Sequence, residues 1–170
     1  MTSEIKKYLV GGDLRSIANS WQLETLIKTQ KDFDCLFHYL HSHDRLVVMR
    51  AADVLEKISR YHPEFLQKHT DQLLDYLETV KHKEFKWHLA QMVPRLKLPL
   101  EKMEYVVEIL TRWASDSLES KIVRLNALQA IYDINLEYHD KEKELQQLIL
   151  KLKEENIPSL NSRIRKLTST

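Results

Sequence analysis

Glycine is nearly missing from this 170-residue chain: Gly11 and Gly12 are the only two, and they are adjacent. A glycine-rich loop that closes backbone N–H groups around a phosphate is therefore excluded, as are the Gly-x-Ser-x-Gly elbow and the dinucleotide fingerprint. Without an Asn-Gly or Asp-Gly signal, strands have almost nothing to turn on, and the chain reads as all helix. Cys35 is the sole cysteine, so there is no internal disulfide and a reducing, cytoplasmic setting is expected. No run approaches the ~20 apolar residues of a membrane span. The stretch Met1 to Val10 has no apolar core long enough for a signal peptide. No membrane role is expected. Neither sign of charge dominates: 26 basic residues face 25 acidic ones, for a net +1, so any binding of nucleic acid would have to be local.

What is present is repetition. Ala51-Ala52-Asp53-Val54-Leu55-Glu56-Lys57-Ile58, Leu89-Ala90-Gln91-Met92-Val93-Pro94-Arg95-Leu96 and Ala127-Leu128-Gln129-Ala130-Ile131-Tyr132-Asp133-Ile134 follow at steps of 38 residues. A fixed period in this range marks stacked units that bury their apolar faces on one another. A second register runs through Leu36, Leu74, Leu110 and Leu148 at intervals of 38, 36 and 38. Pro63, Pro99 and Pro158 read as helix starts, and Pro94, inside a helix, predicts a kink. The spacing of apolar positions predicts helices over about 13–29, 32–42, 45–60, 63–80, 83–97, 99–115, 119–137, 140–155 and 158–168. With 43% hydrophobic residues the chain can form one domain over 1–170, with 1–12 an N-terminal segment set off by the glycines and 156–170 a C-terminal capping helix.

Positions 47, 51, 55 and 58 and their equivalents read Val, Ala, Leu, Ile, then Phe, Leu, Val, Leu, then Val, Ala, Ile, Ile, which predicts one buried face. This pattern resembles the HEAT repeat, a helical hairpin whose first helix carries Val-Arg and then a small-residue pair. Val123-Arg124 keeps that pair, Phe85-Lys86 approximates it, and Val47-Val48 loses the basic residue. The resemblance covers residues ~30–155 best. The phrases Met49-Arg50-Ala51-Ala52-Asp53 and Trp87-His88-Leu89-Ala90-Gln91 are similar to small prokaryotic HEAT proteins. The resemblance implies a right-handed α-α superhelix, a solenoid of about four HEAT-like hairpins, acting as a non-enzymatic binding module or scaffold for a protein or peptide partner.

Two partner-binding surfaces follow. Arg50, Asp53 and Lys57, His88, Gln91 and Arg95, and Asn126, Gln129 and Asp133 lie roughly opposite the apolar face and form a polar sheet across three helices. That sheet is either a partner surface or an ordinary solvated face with pairs such as Asp53 with Lys57. The alternative surface belongs to the second helices, the usual concave side in HEAT arrays, and includes Gln67, Asp71, Asp75 and Glu78.

Reactive constellations are sparse. The eight histidines, including His38, His41 and His43 together and His82 with His88, have no carboxylate at a recognised ligand spacing, so neither metal nor other cofactor is expected. The His-Glu dipeptides by which the HEAT-type deoxyhypusine hydroxylases hold iron do not occur. Cys35 sits in an apolar context and reads as a packing residue. A second family, the HEAT-like alkylpurine DNA glycosylases, uses aromatic residues and an aspartate in a basic groove. Trp87, Trp113 and Asp116, with nearby Lys and Arg, keep a nucleic-acid-binding relative of those enzymes as the alternative function. Trp87 shares its register with Met49 and Leu125, which points to packing instead. No catalytic residue is assigned.

Overall fold

The computed structural model describes residues 2–12, 19–138 and 142–169. Every described element is helical. The expected N-terminal segment is itself a helix, α1 (Thr2–Leu9), which buries Ile5 and Leu9. Gly11 and Gly12 end it with φ of 89° and 69°, a left-handed backbone that a side chain would strain. The helix expected over 13–29 falls partly outside the described residues; within them there is a short 3₁₀ turn (Ser20–Gln22) and one turn of α-helix, α2 (Leu23–Leu26). Thr29 and Asp32 then form a capping box that starts α3 (Gln30–Phe37), followed by a 3₁₀ turn at His38–His41. Asp44 accepts the Leu46 N–H at 2.9 Å and caps α4 (Arg45–Ser59).

The span expected as one helix over 63–80 is broken in two, α5 (Glu64–Gln67) and α6 (Thr70–Thr79). The break falls at His69, which stacks on Phe37 at 3.8 Å and meets Asp34 Oδ1 through Nε2 at 2.7 Å. It also shifts the second register by one residue, so that Leu73 is buried where Leu74 was expected and Leu74 is half-buried. α7 (Lys83–Met92) ends earlier than expected: Pro94 has no N–H to donate, and the chain passes into a 3₁₀ turn at Val93–Arg95 rather than through a bend. Three long helices, α8 (Leu100–Ser115), α9 (Lys121–Tyr138) and α10 (Glu142–Glu154), and then α11 (Pro158–Thr168), close the order, with Pro158 at the first position of its helix.

α4, α7, α9 and α11 pack side by side in that order, and each pairs with a second helix from the run α3, α6, α8, α10. Ala52, Ala90 and Leu128, the equivalent sites of three copies, are all fully buried. All twelve positions of the predicted apolar face are buried, from Val47 and Leu55 to Ile131 and Ile134. Alanines at 51, 52, 90 and 127 let neighbouring helices approach closely, so α4, α7 and α9 are flanked on two sides as well as from behind. Because each unit buries its face on the next, Leu55→Ala or Ile131→Ala should lower stability by ~2–5 kcal/mol in equilibrium urea unfolding. No loss for either variant would mean that the face seen here does not hold the array together.

Candidate functional site

The nine residues of the predicted polar sheet are brought onto adjoining helices, but not to equal depth. Arg50 is fully buried, and His88 and Asn126, its equivalents, are 7% and 8% exposed; the expected open face begins only at the next row, Asp53, Gln91 and Gln129. The reason is the double flanking. A helix wedged between two neighbours keeps only a narrow open strip, and positions 50, 88 and 126 fall at its edge. Arg50 instead reaches α1, where its Nη1 donates to the Leu9 carbonyl at 2.7 Å.

The remaining members are tied both within their own helices and to neighbouring ones. Lys57 pairs with Asp53 at 2.9 Å and with Glu24 at 3.2 Å. Gln91 Nε2 donates to Asn126 Oδ1 at 2.8 Å, and Asn126 Nδ2 donates to the Ile122 carbonyl at 2.8 Å. Gln129 donates to Asp133 at 2.7 Å and accepts from Arg163 of α11 at 2.5 Å. Arg95 reaches back to α4, donating to Glu56 Oε1 and to Ser59 Oγ, both at 2.6 Å. Glu56 is 2% exposed; burial pushes its carboxyl up, but hydrogen bonds from Arg60 and Arg95 bring it below the usual carboxylate range.

Further pairs repeat the device. Arg45 grips Glu84 at 2.7 Å, Lys86 meets Glu119 while lying over the Trp113 ring, and buried Arg124 donates to Glu155 at 2.6 Å and to the Ala114 carbonyl at 2.9 Å. Glu56, Arg45, Glu84, Glu155 and His69 were not singled out from the sequence. A signal was available for two of these ties: Arg45 with Glu84, and Glu56 with Arg95, are opposite charges 39 residues apart, one repeat period plus one.

On the opposite layer Asp71, Asp75 and Glu78 of α6 are exposed and Gln67 is half-buried. Lys102 of α8 pairs with Asp71 at 3.0 Å, while Glu78 accepts from Tyr105 at 2.7 Å and from Arg112 at 3.0 Å. Of the histidines, His38 and His41 have their rings 5.9 Å apart, His41 meets the Tyr76 hydroxyl and His69 belongs to the Asp34 tie, and among the described residues no three His, Cys, Asp or Glu groups stand close enough to hold a metal ion. Trp113 is 9% exposed and belongs to the core cluster, while Asp116 is exposed and its Oδ1 accepts the Leu118 N–H, so the tryptophan ring is not open to stack on a base. Trp87 is half-buried beside His88, their rings 5.3 Å apart. Cys35 is half-buried against the core rather than sealed within it.

A family model of the HEAT repeat domain matches residues 3–170. The chain belongs to the HEAT-repeat family. Searches of curated proteins and of solved structures give no match. No helix among the described residues of this HEAT-repeat protein is long and apolar enough to cross a membrane.

His88 provides a test of how dry the repeat boundary is. Its Nδ1 is buried with no hydrogen-bond partner, and burial depresses its pKa from 6.5 to about 4. The unfolded chain takes up this proton as pH drops through 6.5, and the folded chain does so only near 4. Stability is therefore full above pH 6.5 and is lost between 6.5 and about 4, by on the order of 3 kcal/mol. Carboxylates with lowered values, such as Asp34 at about 2, lose their contribution only below the ordinary 3.8 to 4.5. His88→Leu should flatten the loss between pH 6.5 and 4.5 in urea midpoints measured across that range. An unchanged slope would place the titrating group elsewhere.

Proposed function

We propose that this HEAT-repeat chain is a non-enzymatic scaffold for a protein or peptide partner. In this reading it is a right-handed α-α superhelix of about four hairpins, one domain over residues 1–170, with 1–12 leading in and 156–170 capping the far end, working in the cytoplasm. The observation that carries the reading is the set of ties between repeats. Groups that would supply acid–base chemistry, such as Glu56, Glu84 and Glu119, are each engaged by a cation of a neighbouring helix. Residues held in this way keep the repeats in register and present a firm surface, which is what a scaffold needs.

The partner surface has two candidates. The first is the open strip of the α4, α7 and α9 layer, where Asp53, Lys57, Gln91, Arg95, Gln129 and Asp133 border solvent and Arg50, His88 and Asn126 support them from below. The second is the second-helix face with Gln67, Asp71, Asp75 and Glu78, and its exposed carboxylates favour it. Both carry mixed or negative charge, which suits a protein partner better than a polyanion.

The test is cross-linking of the intact chain in extract, followed by purification of the complex and mutation of each face. Binding should weaken only moderately between 50 and 200 mM salt, whereas neutralising 6–10 phosphates would cost about 10³ to 10⁵ in affinity over that interval. Asp71→Lys with Asp75→Lys should reduce binding if the second-helix face is used, and Asp133→Lys if the strip of the α4, α7 and α9 layer is used. Tight DNA or RNA binding with the steep salt slope would overturn the scaffold reading in favour of a nucleic-acid protein.

A further inference from the structure

We propose that the groove between α8 and α10 is a docking site for a cationic amphipathic peptide segment of a partner protein. This inference rests on the scaffold reading and names the chemistry of what the scaffold holds. The groove has a volume of about 560 Å³. Its apolar lining comes from Val107, which is 8% exposed and belongs to the core cluster, from the ring of Tyr105 and from Thr111. Glu101 and Glu108 of α8 border it on one side and Glu144 of α10 on the other.

The charge at this groove follows from where the cations of α8 go. Lys102 and Arg112 both turn toward α6, where they pair with Asp71 and Glu78 at 3.0 Å. Arg112 lines the groove with its stem and carries its guanidinium to Glu78. Glu101, Glu104 and Glu108 are then the charged groups of α8 that line the groove beside the Arg112 stem. An apolar lining alone would accept any hydrophobic segment, and a carboxylate rim alone would accept any cation. Together they select a chain that offers both. Aliphatic side chains fill the groove, lysine or arginine stems lie over its walls, and the charged heads reach the rim glutamates while staying in water. A polyanion would be repelled, and a purely apolar helix would strip water from Glu101 and Glu108 without replacing it.

The experiment uses the full chain and a fluorescent amphipathic helix of lysine and leucine, read by anisotropy, with a glutamate–leucine helix of equal length as its counterpart. The lysine–leucine peptide should bind and the counterpart should not. Glu101→Lys with Glu108→Lys should weaken binding about tenfold or more, while the same charge change at Glu137 and Glu154, both exposed and outside the groove, should leave the greater part of it. Thr111→Trp fills the groove without changing charge and should also weaken binding about tenfold. Circular dichroism melts establish that each variant is folded; Thr111→Phe replaces Thr111→Trp if the larger ring destabilises α8. Equal loss for both charge reversals, no effect of filling the groove, or binding of the glutamate–leucine peptide would each overturn the assignment. The partner recovered by cross-linking is finally competed with the peptide. A partner that stays bound leaves the scaffold reading intact and overturns the groove as its site; a chain that binds neither peptide nor partner sinks both.

Discussion

The structure depends on one constraint: each of α4, α7 and α9 is covered by its neighbours on both flanks and by the second layer behind. α9 illustrates it. Val123, Ala127, Ile131 and Ile134 face one way, and Arg124, Asn126, Leu128 and Ala130 are also buried, so little of its circumference is left open. Small residues at the flanks allow this closeness, and apolar burial supplies the dominant favourable energy. The consequence is that polar groups near the strip lose water whether or not they contribute to function. Most find a partner within the protein, and His88 Nδ1 is an exception.

The partners come mainly from the adjacent repeat. Arg95 with Glu56, Arg45 with Glu84, Arg124 with Glu155 and Gln91 with Asn126 all cross a boundary between stacked helices. A buried ion pair is weak grounds for net stability, because desolvating both charges offsets much of their attraction. Its effect is better seen in what happens if the register slips. Sliding one helix by a residue would strip Glu56 of Arg95 and Arg124 of Glu155 while both stay buried, which is far more costly than losing an exposed pair. The polar ties thus penalise misaligned stacking, while the apolar face drives stacking itself.

The two layers also differ in charge. α6 carries Asp71, Asp75 and Glu78 and no basic residue, whereas α11 carries Arg163, Arg165 and Lys166 and no acidic one. A near-neutral chain therefore shows different charge on different helices, and its local surfaces differ in what they attract. Net charge conceals this because it averages over faces that point in different directions.

How much of this was legible in the chain can be argued from particular residues. The period of 38, the twelve-residue apolar face and the start at Pro158 depend on local spacing, and the 3.6-residue turn of a helix converts spacing into faces directly. The family was legible as a resemblance, carried by phrases such as Val123-Arg124. The break at His69 was not, because it arises from Asp34 and Phe37 some 30 residues away, and no local signal separates Gln67 from Thr70. The candidate polar sheet was legible as an alignment and not as a depth. Sequence by itself determined which residues recur and which face of each helix is apolar. Only the tertiary structure decided that Arg50, His88 and Asn126 lie beneath the surface and that Lys102 and Arg112 turn toward α6. The physical reason is that burial is set by how many neighbours flank a helix, and a pattern within one helix does not contain that number.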